Sequence, residues 1–270
     1  MDKKKISAKT LRTIIIVCTC VFGAAAIFCG VKYAYAQKQY SDSRKNFEAM
    51  AEEYVNVKEI ETGTEIPTIN SSSKKEEKES PIDVDFNILC GQAARGDVVG
   101  WLYCPDTVIN YPVTQCDDNS FYLEHQLDGK PNACGNLFVD CRCQSKFSGR
   151  NTIIYGHHMA DGAMFNCLKN YRNNPDFFAE HPVMYLNTPE GNYEMAIFST
   201  FHCETQTPAF QVDFANDAEF EEYLNFIRDS SVIEADVPVN TDSRILTLVT
   251  CSYETNNSRT IVCGVLNPIG

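Results

Sequence analysis

The sequence predicts a mainly β domain, a barrel or a sandwich with a few peripheral helices, set behind a membrane-spanning segment and a flexible stalk. Three observations predict it. Short β-branched and aromatic runs recur from residue 98 to the C-terminus with Gly, Pro, Asn and Asp between them, the pattern of short strands joined by turns. Only one stretch among them keeps a strong helical period. Near the N-terminus an apolar run without a charge leads into polar, low-complexity sequence.

Residues 1–12 are basic. Between Arg12 and Lys32 lie nineteen uncharged residues, 13–31, rich in Ile, Val, Ala and Phe. At about 1.5 Å per residue they reach roughly 28 Å, close to a hydrocarbon core, so the segment is expected to lie in membrane lipid. The first 32 residues hold Lys3, Lys4, Lys5, Lys9, Arg12 and Lys32 against Asp2, a balance of +5; with a net charge of −13 the remainder carries −18. The basic flank puts the N-terminus in the cytoplasm and everything after the span outside the cell membrane. Ala34-Tyr35-Ala36 resembles a signal-cleavage site, but the apolar run exceeds the about 7–15 residues of a signal core, which favours an uncleaved anchor. The acidic body lacks the basic footprint that a nucleic-acid partner needs.

Residues 32–80 read as an extracellular helix and stalk. Phe47, Met50, Ala51, Tyr54, Val55 and Val57 lie among charges and fit a helix continuing from the span, while 71–80 is Ser, Lys and Glu, too polar to offset its ordering entropy. The folded domain is expected over 81–270. Residues 85–94 fit a short helix. Strands are expected at 98–104, 108–114, 136–140, 152–155, 183–186, 193–201, 244–250 and 260–266. Helices are expected at 164–171 and, more strongly, at 217–228, where Phe220, Tyr223, Leu224 and Ile227 fall at i, i+3, i+4 and i+7 behind an acidic first turn.

Cys18, Cys20 and Cys29 lie in the apolar segment and ten further cysteines outside it. An exported domain with that many suggests disulfides. Their irregular spacing, and a domain large enough to hold a core unaided, favour buried, reduced thiols instead. Cys141-x-Cys143 is a weak metal or redox signal.

The chemistry gathers at two strand ends. Leu246-Thr247-Leu248-Val249-Thr250-Cys251 and 260–265 read as a hairpin; if it is symmetric about Thr255, Cys251 and Arg259 face each other at its mouth. A guanidinium beside a thiol favours thiolate and can hold a developing oxyanion. Asn151-Thr152-Ile153-Ile154-Tyr155-Gly156-His157-His158 is an apolar run ended by a glycine, expected to give a sharp turn, and then two histidines. Taken singly, Cys251 reads as one more buried thiol, His157 as a turn residue and Arg259 as a solvated strand residue. Metal binding by His157-His158 is disfavoured, because adjacent side chains on an extended chain point apart.

Together, Tyr-Gly-His-His-Met-Ala-Asp-Gly-Ala-Met-Phe at 155–165, Thr-Leu-Val-Thr-Cys at 247–251 and Arg259 resemble the sortases, membrane-bound cysteine transpeptidases of Gram-positive bacteria. The resemblance runs from residue 84 to the end. The form of the histidine segment, Val99-Gly100-Trp101-Leu102-Tyr103 with Ile109-Asn110-Tyr111-Pro112-Val113, and the helix at 217–228 are most similar to class B. The resemblance implies a closed barrel of about eight strands, Cys251 as nucleophile, His157 rather than His158 as acid/base, and Arg259 as the oxyanion or substrate-positioning group. Thr250 is expected to line the site, and the Ser252 N–H is a candidate second oxyanion donor. The implied partners are secreted proteins with an Asn-Pro-x-Thr or Pro-x-Thr-Gly sorting signal and a peptidoglycan amine; no cofactor or metal is implied. A cysteine hydrolase, a pilin-polymerising sortase and an inactive binding module on the same fold stand as alternatives.

Overall fold

A sheet made of short, turn-punctuated strands must pair, cover or close its edges, since an open edge presents unpaired N–H and C=O groups. Here it closes. The structure, a computed structural model, describes residues 7–58, 78–251 and 258–270. Its strands are β1 (Val55–Val57), β2 (Ile82–Val84), β3 (Asp97–Tyr103), β4 (Asn110–Gln115), β5 (Leu137–Val139), β6 (Asn151–Tyr155), β7 (Val183–Thr188), β8 (Gly191–Glu204), β9 (Ile245–Cys251) and β10 (Ser258–Ile269). The last eight form a closed barrel in the order β10-β8-β7-β3-β4-β5-β6-β9. The pairs β4/β5 and β6/β9 are parallel and the other neighbouring pairs of the barrel are antiparallel. Of barrel and sandwich, the two readings the strand pattern left open, the molecule is the barrel.

The helices are α1 (Ala8–Tyr54), α2 (Phe86–Leu89), α3 (Phe121–Glu124), α4 (Asn170–Asn173), α5 (Pro175–Glu180) and α6 (Asp217–Asp229). In α6 the expected stripe is the buried one: Phe220, Tyr223, Leu224 and Ile227. Asn216 Oδ1 caps the helix by accepting the Glu219 N–H, and Asp217 and Glu219 complement the first turn. Residues 164–171 are not one helix. Met164 has φ +56°, so the chain enters a 3-10 turn (Asn166–Lys169) only after a left-handed residue and then α4.

Two compact units divide the chain, Met1–Asp42 and Ser43–Gly270. In the first, α1 exposes Ile14, Ile15, Phe22, Ile27, Phe28 and Val31; its mean hydropathy reaches 2.6 over an 18-residue window, long and apolar enough to cross a membrane. The second unit begins earlier than the expected boundary at 81. From Ser43 onward α1 is part of the folded body: Phe47 and Tyr54, seven residues apart on one helical face, are buried. Val55 starts a ladder in which β1 pairs with β2. Tyr54, Val55, Ile82, Leu89, Val98, Trp101 and Leu127 form one buried cluster. Ser43 donates to Asn132 Oδ1 at 2.6 Å and Asn46 to Gln126 Oε1 at 3.0 Å. Most of the expected stalk, 59–77, lies outside the described residues.

Burial of Phe47 and Tyr54 sets an expected outcome: a fragment 43–270 melts several degrees above a fragment 81–270, which exposes the face those side chains cover. Thermal denaturation followed by circular dichroism checks this; equal midpoints would show that α1 contributes nothing to the barrel.

Candidate active site

Backbone register assembles the site. β9 and β10 pair so that Arg259 lies opposite Cys251 and Thr260 opposite Thr250. On its other side β10 pairs with β8, setting Arg259 opposite Cys203 and Thr260 opposite His202. Positions 251, 259 and 203 therefore form one cross-strand row, and 250, 260 and 202 the next, on the opposite face. β6 runs parallel to β9 with Tyr155 level with Val249, and Gly156 N–H donates to the Val249 carbonyl at 3.1 Å. β6 ends at Tyr155, and His157 follows two residues beyond that end.

Gly156 was expected to make a sharp turn, but it does not adopt a positive φ. Its reason is space. A Cβ there would lie 2.5 Å from Leu137 Cδ2 and 2.6 Å from the Phe165 ring. The loop that follows is held by its own ends: Phe165 N–H donates to the His157 carbonyl at 2.9 Å, and His158 bridges Met164. Met159, Met164 and Phe165 are buried beneath it. The half-buried His157 ring places Nε2 2.7 Å from the Leu123 carbonyl at the end of α3. A carbonyl only accepts, so Nε2 carries a proton and Nδ1 is the nitrogen left to exchange one.

Arg259 is half-buried, with Nη1 donating to the Ser258 carbonyl at 3.0 Å, and among the described residues no carboxylate pairs with it. Burial pushes the Cys203 thiol up, while the Thr207 hydroxyl and the Arg259 charge pull it back. At other thiols burial outweighs the hydrogen bonds and charges that oppose it. Burial raises Cys104 to about 11 and Cys143, Cys167 and Cys263 to about 12, which keeps them protonated and unreactive. Cys104, Cys134, Cys143 and Cys263 are buried as expected, whereas Cys90 and Cys141 are exposed and Cys116, Cys167 and Cys203 half-buried.

The second row is a hydrogen-bonded chain. Arg172 Nη1 lies 3.1 Å from His202 Nδ1, and His202 Nε2 lies 3.1 Å from Thr260 Oγ1. Arginine only donates, so His202 is protonated on Nε2 and donates to Thr260. Thr250, buried beside it, has an Oγ1 with no hydrogen-bond partner among the described residues.

A buried carboxylate braces the wall of the site. Asp140 accepts from Arg142 Nε at 3.0 Å, from Arg142 Nη2 at 2.7 Å and from the Tyr155 hydroxyl at 3.0 Å. Arg142 also donates to the Phe210 carbonyl at 3.3 Å, linking the strand that leads to His157 with the segment that follows β8. Burial pushes the Asp140 carboxyl up, but its hydrogen bonds with Arg142, Asn119 and Tyr155 outweigh that and hold it at about 2. Cys116, Asp117 and Asp118 could offer a metal one ligand atom each within 4.8 Å. Both carboxylates are already ion-paired with Arg95, and Asp118 also accepts the Ser120 and Phe121 N–H groups.

Of the residues expected from sequence, Arg259 is paired opposite position 251 and Thr250 lies one residue before it on the other face, His157 follows the end of β6, and His158 pairs with Met164; the Cys251 side chain and Ser252 lie outside what the structure describes. Sequence reasoning missed Cys203, the Leu123 carbonyl, the Arg172–His202–Thr260 chain and Asp140–Arg142. Only Cys203 and His202 carried a signal, as polar residues at the end of the apolar run 195–201.

Residues 102–267 match the sortase domain family model. Sortase B of Listeria monocytogenes is 38% identical over 163 residues, 60% of this chain and 66% of that protein, so the match spans about two thirds of its length. The solved Staphylococcus aureus sortase B–substrate complex superposes with a TM-score of 0.61 and 32% identity, covering 64% of this chain and 81% of that one. Sortase B from B. anthracis in complex with AAEK1 gives a TM-score of 0.68 and 29% identity, covering 86% and 99%.

Two outcomes follow from this geometry. Asp140 sits below its unfolded value of about 4, so its stabilisation is complete above that pH and is lost as pH falls from about 4 towards 2. Denaturant midpoints measured across that window decline more steeply in the wild type than in Asp140→Asn. Gly156→Ala forces Phe165 aside and lowers the thermal midpoint by an amount typical of overpacking, about 1–3 kcal/mol; a midpoint equal to wild type would contradict the close packing.

Proposed function

The chain belongs to the sortase family, and from that premise we propose that it is a membrane-anchored class B cysteine transpeptidase that joins secreted proteins to the cell wall. The observation that carries this reading is the arrangement of three strand ends: Arg259 stands opposite Cys251, and His157 follows two residues after the end of β6, which runs parallel to the strand that Cys251 ends. The Staphylococcus aureus neighbour is solved with a substrate, which supports a substrate of the same kind here, a polypeptide sorting signal of Asn-Pro-x-Thr or Pro-x-Thr-Gly type. The basic residues before the apolar segment of α1 support an N-terminus in the cytoplasm and a catalytic unit facing the wall.

In the first step the Cys251 thiolate sulfur bonds to the threonine carbonyl carbon of the signal. Arg259 stabilises the oxyanion that forms, at a position where the guanidinium has no competing carboxylate among the described residues. As the intermediate collapses, the carbon–nitrogen bond after threonine breaks, and His157 Nδ1 gives its proton to the leaving amine while the Leu123 carbonyl holds Nε2. A thioester remains. In the second step an amine of the wall precursor attacks the thioester, His157 takes the amine proton, and the thiolate leaves. The new bond is an amide between the threonine carbonyl and the wall. Thr250, buried next to Cys251 in β9, faces the other side of the sheet and supports the strand behind the nucleophile.

Incubating the full chain in detergent micelles with a panel of Asn-Pro-x-Thr and Pro-x-Thr-Gly peptides, with and without a glycyl amine, tests this by mass spectrometry. The expected result is a threonyl thioester on Cys251 and an amide product when amine is present. Cys251→Ala loses the adduct entirely. Arg259→Ala and His157→Ala each lower the rate about 10²–10³-fold. Release of free carboxylate under ample amine, with no amide product, would favour a hydrolase; no adduct from folded protein with any peptide would remove the transpeptidase reading.

A further inference from the structure

His157 lies beyond the end of β6, so no sheet ladder fixes it; its position depends on how the loop 157–165 closes. The joint of that loop is Met164. It is buried and holds φ +56°, a conformation that non-glycine residues enter only when their surroundings demand it. Its N–H donates to the Tyr111 hydroxyl at 3.2 Å. The next residue, Phe165, donates to the His157 carbonyl at 2.9 Å. Tyr111 is itself immobile. It stands in β4 opposite Leu102 of β3 and packs edge-on against Phe47 of α1, with ring centroids 5.0 Å apart at 78°. Burial raises its phenol to about 12, so the hydroxyl stays neutral and available as an acceptor.

We propose that Tyr111 is a positioning residue for His157: its hydroxyl fixes the left-handed Met164, which closes the loop on the His157 carbonyl and aims the imidazole. Without that hydroxyl the Met164 N–H is a buried donor with its acceptor removed, a condition the chain relieves by moving. Space for that movement exists. A cleft of about 390 Å³ adjoins the loop, lined by Phe47, Ala51, Val108, Tyr111, Gly162 and Met164. The same contacts couple the last turns of α1 to the acid/base group, because Phe47 bears on the ring whose hydroxyl holds the loop. The inference rests on the reading that His157 protonates the leaving amine.

Tyr111→Phe in the full chain keeps the ring and removes only the acceptor. The test compares two peptides carrying the sorting signal that acylates Cys251: one with the natural amide after threonine, one with a thioester there, whose thiolate leaves without a proton. Tyr111→Phe is expected to lower kcat on the amide about tenfold with KM unchanged, to leave acylation by the thioester at the wild-type rate, and to speed hydrogen exchange at the Met164 and Phe165 amides. An equal loss on both peptides would mark a merely structural role and overturn the proposal, as would no loss on the amide or unchanged exchange at Met164. If Tyr111→Phe does not fold, Phe47→Leu keeps the hydroxyl and loosens the ring; a smaller, amide-only loss is expected, and none overturns the proposal. A wild-type chain that turns over neither peptide would instead defeat the transpeptidase reading, and exchange at Met164 would still decide the part played by Tyr111.

Discussion

The pairing of β9 with its two neighbours is the constraint on which the rest of the site depends. A strand has a period of two, so a shift of one residue in either pairing would move a whole set of side chains to the other face. The antiparallel partner β10 sets Arg259 level with Cys251, and the parallel partner β6 ends with Tyr155 level with Val249, two residues before His157. Because the barrel closes through β9 and β10, neither strand is an edge free to slip. The register is reinforced from outside by α6: Tyr223 lies 3.3 Å from the Thr247 hydroxyl, which donates to Asn151 Oδ1 at 2.8 Å, tying helix, β9 and β6 together four residues from the reactive end.

Around that register the molecule separates reactive from inert chemistry by burial. Thiols in the body are held protonated by desolvation, whereas the row containing position 251 has a half-buried guanidinium between two cysteine positions. Cys203 and Cys251 stand two strand spacings apart, about 10 Å, beyond the reach of a disulfide with the sheet intact. The opposite face carries a polar chain in which Arg172 donates to His202 and His202 donates to Thr260.

Much of this was legible in the residues. Alternating runs located the eight barrel strands within a few residues, the period of 217–228 gave the buried face of α6, and the symmetry of the last hairpin about Thr255 gave the Cys251–Arg259 pairing, because a hairpin is a local object. The helix expected at 164–171 was misread because its apolar spacing is real, yet Met164 is pulled left-handed by a hydroxyl fifty-three positions away. The domain start was misread for the same kind of reason. Phe47 and Tyr54 gain their partners only from strands that follow much later in the chain.

Legible in the sequence by itself were the runs that became strands, the apolar segment before Lys32 and the hairpin that sets Arg259 opposite Cys251, since each is written in local period, composition or spacing; the roles of Cys251, His157 and Arg259 rest on the resemblance to the sortases. The tertiary structure alone decided that the sheet closes as a barrel, that β6 lies parallel to β9 and leads into His157, that the Leu123 carbonyl takes Nε2 of His157, and that Cys203 shares a cross-strand row with Arg259. Those contacts join residues tens of positions apart. They are set by which faces bury one another and which buried donors find acceptors, and no local pattern of the chain encodes that outcome.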